Sequence, residues 1–287
     1  MRLSSLIQAL RCEFFVARYS LGARLVVFLP SVAAAGMFTA SKVADTGAAA
    51  RDSLMNLNSF DDVIAGNAWG HFVDGLDTGI TLISLLLVAQ AAYSFSAELE
   101  SGTLRHQLIR CSSRRMIMIS KFLQLHALAL MGVGLLIVSS YLLSGLLWEF
   151  GPVVEDGFAL IDEAEIRDEI ELGLRLALTP LPAAIALGLL LSVIADTATQ
   201  AVVSALGLTL AMDIFKGMLG DYAYYLYASF QPALIDQSYL QDVSRLVRGY
   251  SDVLIDDRVI QLNYWVPIPT LLILITASLI VVQTRKL

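Results

Sequence analysis

The chain has 287 residues, of which 57% are hydrophobic and 16% are charged, and its mean hydropathy is +0.70. So few charged residues exclude a soluble globular protein and are typical of a membrane protein. The formal net charge is −7 at pH 7, and we expect no nucleic-acid partner.

Residues 1–22 predict an amphipathic helix that lies in the membrane interface. Apolar side chains recur there at helical spacing among basic and polar ones, at Leu3, Leu6, Ile7, Leu10 and Phe14. Such a helix contacts lipid with its apolar side while its polar side faces water. The alternative is that this stretch extends the first membrane span.

Six apolar runs are long enough to cross a bilayer, which takes about 20 residues as a helix. They cover residues 25–44, 76–97, 116–147, 172–195, 200–219 and 265–283. The third run is longer than a bilayer requires, so we expect it to tilt or protrude. Asp213 and Lys216 interrupt the fifth. The predicted fold is therefore an all-α polytopic membrane protein with a single domain, 1–287.

Three connecting segments fall on the side opposite the termini. Residues 42–77 predict a loop with at most a short helix, and residues 220–264 predict short helices lying on the outer surface. Residues 148–171 are strongly acidic. They form either a solvated helical cap or a surface that docks an extracytoplasmic partner.

The basic residues predict the orientation of the chain. Eleven of the 19 Lys and Arg residues lie on the side of the termini, in the N-terminal segment, the loop after the second span and the C-terminus. Short loops rich in Lys and Arg stay in the cytoplasm. We therefore expect a multi-pass protein of the plasma or inner membrane with both termini cytoplasmic.

The loop at residues 98–115 carries the most distinctive polar pattern. Ser101 and Gly102 predict a bend after the second span, and a short amphipathic helix follows. Leu104 and Leu108 lie on one side of this helix and Arg105 on the other. A basic helix at the membrane surface suits the docking of a soluble partner, although an ordinary positive loop is the alternative.

This loop resembles the corresponding segment of the ABC type-2 permease family. The residues that fall in register are Glu98, Glu100, Gly102, Thr103, Leu104, Leu108, Arg114 and Lys121. Cys111 stands where the family usually has proline, and Ser120 where it has glycine. The resemblance implies the membrane subunit of an ABC transporter, in which two permease and two ATPase subunits assemble.

The resemblance also implies a coupling helix within this loop that is seated in a cleft of the ATPase. The implied coupling residues are Glu98, Glu100, Gly102, Thr103, Leu104, Arg105, Leu108 and Arg114. Leu104 and Leu108 would offer an apolar surface to that cleft. Glu98 and Glu100 would pair with cations of the ATPase or with Arg105 and Arg114.

The chain carries no motif for chemistry of its own. It lacks the phosphate-binding P-loop pattern, a zinc-protease motif and a nucleophile elbow. We expect a non-catalytic subunit without metal or cofactor, whose partner ATPase binds ATP and Mg²⁺. The candidates for a substrate pathway are Asp213 and Lys216, which also suit mutual neutralisation at i,i+3, and His126.

Three functions remain open from the sequence, and none names a substrate. The first is an ATP-driven exporter that acts as a homodimer surrounded by membrane lipid. The second is a mechanical transmitter, in which an ATPase moves the spans to act on an extracytoplasmic partner without transport. An ion-coupled carrier is a weaker alternative, because the sequence shows no inverted repeat.

Overall fold

A computed structural model describes residues 3–55, 67–104, 108, 113–155, 158–232, 239–248 and 257–285. The helices of these residues are α1 (Leu3–Tyr19), α2 (Leu21–Met55), α3 (Ala68–Glu100), α4 (Arg114–Leu147), α5 (Glu163–Leu178), α6 (Leu181–Ile194), α7 (Ala198–Phe215), α8 (Tyr239–Val247), α9 (Asp257–Trp265) and α10 (Pro267–Thr284). Two 3₁₀ segments, Lys216–Tyr225 and Tyr227–Phe230, follow α7. Two short strands, β1 (Val153–Glu155) and β2 (Phe158–Ile161), precede α5.

Among the residues that the structure describes, six helical stretches are long and apolar enough to cross a membrane. They are Leu21–Ala48, Ala68–Glu100, Arg114–Leu147, Glu163–Ile194, Ala198–Tyr225 and Arg258–Thr284. Each overlaps one of the six predicted spans, so the predicted all-α polytopic fold is confirmed. Long apolar runs carry this signal because an apolar helix is the form in which a backbone satisfies its own hydrogen bonds in lipid.

The prediction of a loop at residues 42–77 is wrong at both of its ends. Helix α2 continues to Met55, and α3 begins at Ala68. Alanine is the strongest helix former, and the alanines of this stretch favour the extension of α2. Asn67 caps α3 by accepting a hydrogen bond from the Trp69 backbone N–H at 3.0 Å.

The acidic segment is a hairpin followed by a helix rather than a helical cap throughout. Strands β1 and β2 pair antiparallel with an irregular register at Val153 and Val154. Helix α5 then begins with Glu163 and Glu165 in its first turn, where carboxylates suit the positive end of the helix dipole. Strands this short carry too few alternating residues for a period-2 pattern to be recognised.

Helix α8 confirms the prediction of a short helix within residues 220–264. Its Leu240, Val243 and Val247 are buried against α3 and α5. The ion pair between Arg248 and Asp74, and a 2.6 Å hydrogen bond from the Ser244 hydroxyl to the same carboxylate, attach this helix to α3. The helix therefore forms a packed layer over the N-terminal end of α3.

Helix α3 lies at the centre of the bundle, in contact with α2, α4, α6, α7 and α8. In its apolar stretch 67% of the residues are buried, against 17% in the stretch that contains α7 and 22% in the one that contains α10. Gly188 lets α6 lie very close to the backbone of α3, because a Cβ at position 188 would lie 2.7 Å from the backbone oxygen of Val88. The centre is thus closely packed, and α7 and α10 keep large exposed apolar faces.

Candidate functional site

The N-terminal helix, the C-terminus and the loop after α3 all lie on one side of the bundle, which we call the terminal side. Arg285 Nη2 lies 2.8 Å from Asp196 Oδ1 in the turn between α6 and α7. Arg114, at the start of α4, donates a 2.7 Å hydrogen bond to the carbonyl oxygen of Arg285. These contacts bring together the ends of α4, α6, α7 and α10.

The predicted bend after α3 is present and depends on Gly102. Helix α3 ends at Glu100, and the backbone N–H groups of Ser101 and Gly102 donate to the carbonyl oxygens of Ala97 and Leu99 at 2.9 and 3.2 Å. Gly102 has a φ of 74°, a left-handed conformation that favours glycine. A Cβ there would meet no atom within 4 Å. Glycine is therefore needed for the backbone conformation alone.

Thr103 closes the same turn by donating a hydrogen bond from its hydroxyl to the carbonyl oxygen of Glu98 at 3.3 Å. The hydroxyl groups of Thr103 and Ser101 are also 3.0 Å apart. Ser and Thr side chains commonly satisfy the carbonyl groups that a helix end leaves free. Thr103 thus has a local role that the sequence motif alone did not explain.

The side chain of Leu104 is buried within the chain, whereas the resemblance implied that it would form part of an apolar surface for an ATPase. This side chain is 2% exposed and packs in the core cluster that also contains Ile117 and Met118. Leu108 is half-buried against the same cluster. Leu104 and Leu108 therefore pack against the core of this chain, which is the nearest apolar surface. Arg105 lies outside the described residues.

Glu98 pairs with a lysine of α4, not with Arg114. Lys121 Nζ lies 2.6 Å from Glu98 Oε1 and 3.1 Å from the carboxylate of Glu13 in α1. Lys121 is 1% exposed and Glu13 is 8% exposed. Two carboxylates from different helices thus share one buried ammonium group. We call Glu13, Glu98 and Lys121 the charge triad.

Electrostatics inside the triad are unbalanced, because two carboxylates face one cation. Burial raises the pKa of the Glu13 carboxyl above its ordinary value, the Lys121 ammonium lowers it, and the Glu98 charge raises it further. The net direction is upward. One oxygen of the other carboxylate, Glu98 Oε2, is buried and has no hydrogen-bond partner among the described residues.

Glu100 and Arg114 bind backbone groups of other helices. Glu100 Oε2 accepts a 2.9 Å hydrogen bond from the backbone N–H of Ala198, in the first turn of α7. Arg114 donates to the carbonyl oxygens of Val282 and Gln283, each at 3.3 Å, at the end of α10. A carboxylate at a helix N-terminus and a cation at a helix C-terminus are both favourable.

Sequence reasoning missed Glu13, Asp196 and Arg285 as members of this site. The sequence carries one signal, because Glu13 is the lone acidic residue in an otherwise basic N-terminal segment. The sequence identified Lys121 as a motif residue without assigning its partners. Thr197 caps α7 by accepting from the Gln200 backbone N–H at 3.2 Å.

The substrate-pathway candidates lie on different helices. Asp213 Oδ1 and Lys216 Nζ form a buried pair at 2.9 Å at the end of α7, so the predicted mutual neutralisation is confirmed. His126 of α4 has its Nδ1 2.7 Å from the carbonyl oxygen of Phe122. Asp213 also lines a cavity of about 20 Å³ with Thr81 and Thr209, which is room for one water molecule.

Comparison with known proteins gives one match. A family model described as "ABC-2 family transporter protein" matches residues 11–284. No curated protein and no solved structure matches the chain. The matched residues include all of the terminal-side contacts described above except those made by Arg285.

Proposed function

Because this chain belongs to the ABC-2 family of transporter proteins, we propose that it exports a substrate when an ATPase moves the segment at residues 98–115. As a member of this family, the chain is the multi-pass permease subunit of an ABC transporter, and its partner is an ABC ATPase. Export, and coupling through this segment, are the parts that we propose.

The observation that carries the proposal is the set of polar contacts between this segment and distant parts of the chain. Glu98 binds Lys121, Glu100 binds the start of α7, and Arg114 binds the end of α10. Through Lys121 the contacts extend to α1. A force applied to residues 98–115 therefore reaches the terminal ends of α1, α4, α7 and α10.

Leu104 gives the segment a fixed point within the bundle. Since this side chain is buried in the core cluster that also contains Ile117 and Met118, we expect a displacement of the segment to move the start of α4 with it. Interiors are close-packed and transmit strain instead of absorbing it. In this proposal Leu104 transmits the movement, and the ATPase binds the surface of the segment instead of Leu104.

The proposed assembly contains two copies of this chain and two ATPase subunits. The exposed apolar faces of α7 and α10 support lateral contact with a second copy in the membrane. ATP and Mg²⁺ bind the ATPase, and this chain performs no hydrolysis. The density of Lys and Arg on the terminal side supports cytoplasmic termini, where an ATPase has access to the segment.

A second candidate function is mechanical action on an extracytoplasmic partner. It is favoured by the attachment of α8 to α3 through Asp74, since α3 also carries Glu98 and Glu100 at its other end. Movement of one helix would then reach both surfaces. Under this alternative, no molecule is exported. Instead, an extracytoplasmic protein co-purifies with the complex, and ATP releases it.

The coupling proposal is tested at Gly102. A non-glycine residue in the left-handed conformation costs about 1–2 kcal/mol, and asparagine tolerates it better than alanine. The tagged full chain, wild type or variant, is purified with the ABC ATPase that it retains, and ATP hydrolysis is measured in liposomes. We expect Gly102→Ala to lower the yield or the activity of the complex, and Gly102→Asn to lower it less.

Gly36→Ala is the matched control, because a Cβ at this helical position of α2 also meets no atom within 4 Å. It should behave as wild type. A second control, Glu165→Lys, changes an exposed charge on the opposite side and should leave the ATPase complex intact. The coupling assignment is wrong if Gly102→Ala matches Gly36→Ala, or if Glu165→Lys alone disrupts the complex.

A further inference from the structure

A cavity of about 270 Å³ lies on the terminal side between α1, α3 and α4. All three members of the charge triad line it. It is more than ten times as large as the 20 Å³ cavity beside Asp213, so it has room for a small polar headgroup. The roles proposed above for residues 98–115 make no use of this space.

The charge of the lining favours a cation. Glu13 and Glu98 carry two negative charges, and Lys121 is the one positive residue among the described residues that line the cavity. Glu98 Oε2 lacks a hydrogen-bond partner although it is buried. A buried carboxylate oxygen in this position has capacity for one more donor.

Two glutamines add unused hydrogen-bonding groups to the same lining. Gln124 of α4 is 4% exposed, and its amide makes no hydrogen bond within the described ranges. Gln90 of α3 reaches the cavity beside Gly22, where a Cβ would lie 2.0 Å from the Gln90 Oε1. Glycine at position 22 thus leaves room for this amide. Gln124 is buried, and buried polar groups are normally paired, so its amide indicates a polar occupant.

The lining also includes exposed side chains with a large apolar part. Val16 of α1 is 51% exposed and Tyr93 of α3 is 50% exposed, and both line the cavity. Phe15 and Tyr19 of α1 are also exposed. On a membrane protein such side chains contact lipid. An occupant of this cavity therefore has a cationic part beside the triad and an apolar part beside the lipid-facing side chains.

We infer that this cavity is a binding site for a membrane lipid whose headgroup carries a primary ammonium group, as in phosphatidylethanolamine. The ammonium donates to the carbonyl oxygen of the Gln124 amide and to the carboxylates of the triad that line the cavity, and it balances the second of these carboxylates. A primary ammonium has three N–H donors. A choline headgroup has none, and a glycerol headgroup has no positive charge.

The inference is tested by native mass spectrometry of the purified full chain in detergent. The probes are dioctanoyl phosphatidylethanolamine, phosphatidylcholine and phosphatidylglycerol, which share their acyl chains. We expect the ethanolamine lipid to bind at least tenfold tighter than the other two. Glu98→Gln and Gln124→Met should each remove most of this preference.

Two further comparisons make the result decisive. Gln124→Met makes no change to the charge triad, so its effect separates loss of the site from disturbance of the ion pairs. Glu165→Gln, on the exposed opposite side, should retain the wild-type preference. Equal binding of the three lipids, or a preference that survives both cavity variants, overturns the inference. Equally tight binding of soluble phosphoethanolamine overturns the assignment to a lipid. None of these measurements involves the ATPase, so they are independent of the coupling proposal.

Discussion

The terminal side and the opposite side of the bundle are held by different kinds of contact. On the opposite side, one helix, α8, buries Leu240, Val243 and Val247 and adds hydrogen bonds to Asp74 and Asp77 of α3. On the terminal side, charged side chains join helix ends to one another around a cavity. Lys121 alone binds carboxylates from two other helices.

The stability of the two sides therefore depends on different properties of the side chains. Apolar packing is roughly proportional to buried area and has no direction, so α8 forms a layer that responds to changes of volume. Buried ion pairs depend on the presence of each partner, so the terminal side responds to changes of charge. In the proposed coupling, an ATPase moves this subunit from its terminal side. The ion pairs there can rearrange, while the packing of α8 holds the far end of α3 in place.

The largest expected effect is that of Lys121→Met. It leaves the buried Glu13 and the partly buried Glu98 without their cation. Breaking a buried pair in this way costs about 3–5 kcal/mol. We expect a large decrease in the apparent melting temperature in detergent, measured by fluorescence-detected size-exclusion chromatography after heating. ATP hydrolysis by the complex should fall as well, because the variant releases α1 from α3 and α4.

The matched control combines Lys121→Met with Glu13→Gln and Glu98→Gln. It removes the charges together with the cation, so most of the lost stability should return. If the triple variant melts as low as Lys121→Met, the loss arises from packing at position 121, and the contrast between the two sides fails on the terminal side.

A smaller effect is expected for Leu240→Ala on the opposite side. Leu240 packs on Gly173 of α5, where a Cβ would approach the leucine Cδ2 to 2.9 Å. Truncation of a buried leucine costs about 2–5 kcal/mol. Because α8 covers only one end of α3, we place this cost at the low end of that range. The melting temperature should fall, while co-purification of the ATPase stays at the wild-type level.

Gln241→Ala serves as the comparison within α8. It removes the 3.1 Å hydrogen bond to Asp77 from a half-buried position and should cost about 1 kcal/mol. Loss of the ATPase in Leu240→Ala at a temperature where the chain stays folded would show that the two sides are not separate in function.

The smallest effect concerns the pH dependence of Glu13→Gln. The pKa of Glu13 is raised in the folded chain above the ordinary value of 4.5, because burial outweighs the attraction of Lys121. A carboxyl with a raised pKa stabilises the fold below its unfolded pKa and loses that contribution as the pH rises through the folded value. The wild-type melting temperature should therefore fall more than that of Glu13→Gln as the pH is raised from about 4.5.

Glu165→Gln is the control for this measurement, since that carboxylate is exposed on the opposite side. Its melting curve should follow the wild type at each pH. Parallel curves for wild type and Glu13→Gln would contradict the assigned direction of the Glu13 pKa shift.

Much of the fold was predicted because it depends on patterns formed by residues that are close together in the sequence. The six spans follow from apolar runs, and the bend at Gly102 follows from one glycine after a helical stretch. The sequence likewise predicted short helices within residues 220–264, where α8 lies, although not that α8 is buried against α3 and α5. The ends of the loop at residues 42–77 were missed because the alanine-rich end of α2 and the start of α3 carry polar residues that resemble a loop in a hydropathy pattern.

From the sequence alone follow six apolar spans, a basic terminal side, and the resemblance of residues 98–115 to a segment of ABC permeases. The partners of the charged residues and the burial of Leu104 emerge only when the helices pack together. The reason is distance along the chain. Glu13 and Lys121 are 108 residues apart in sequence and meet only when α1 packs against α4. An apolar pattern marks which side of a helix is buried without naming the surface that buries it.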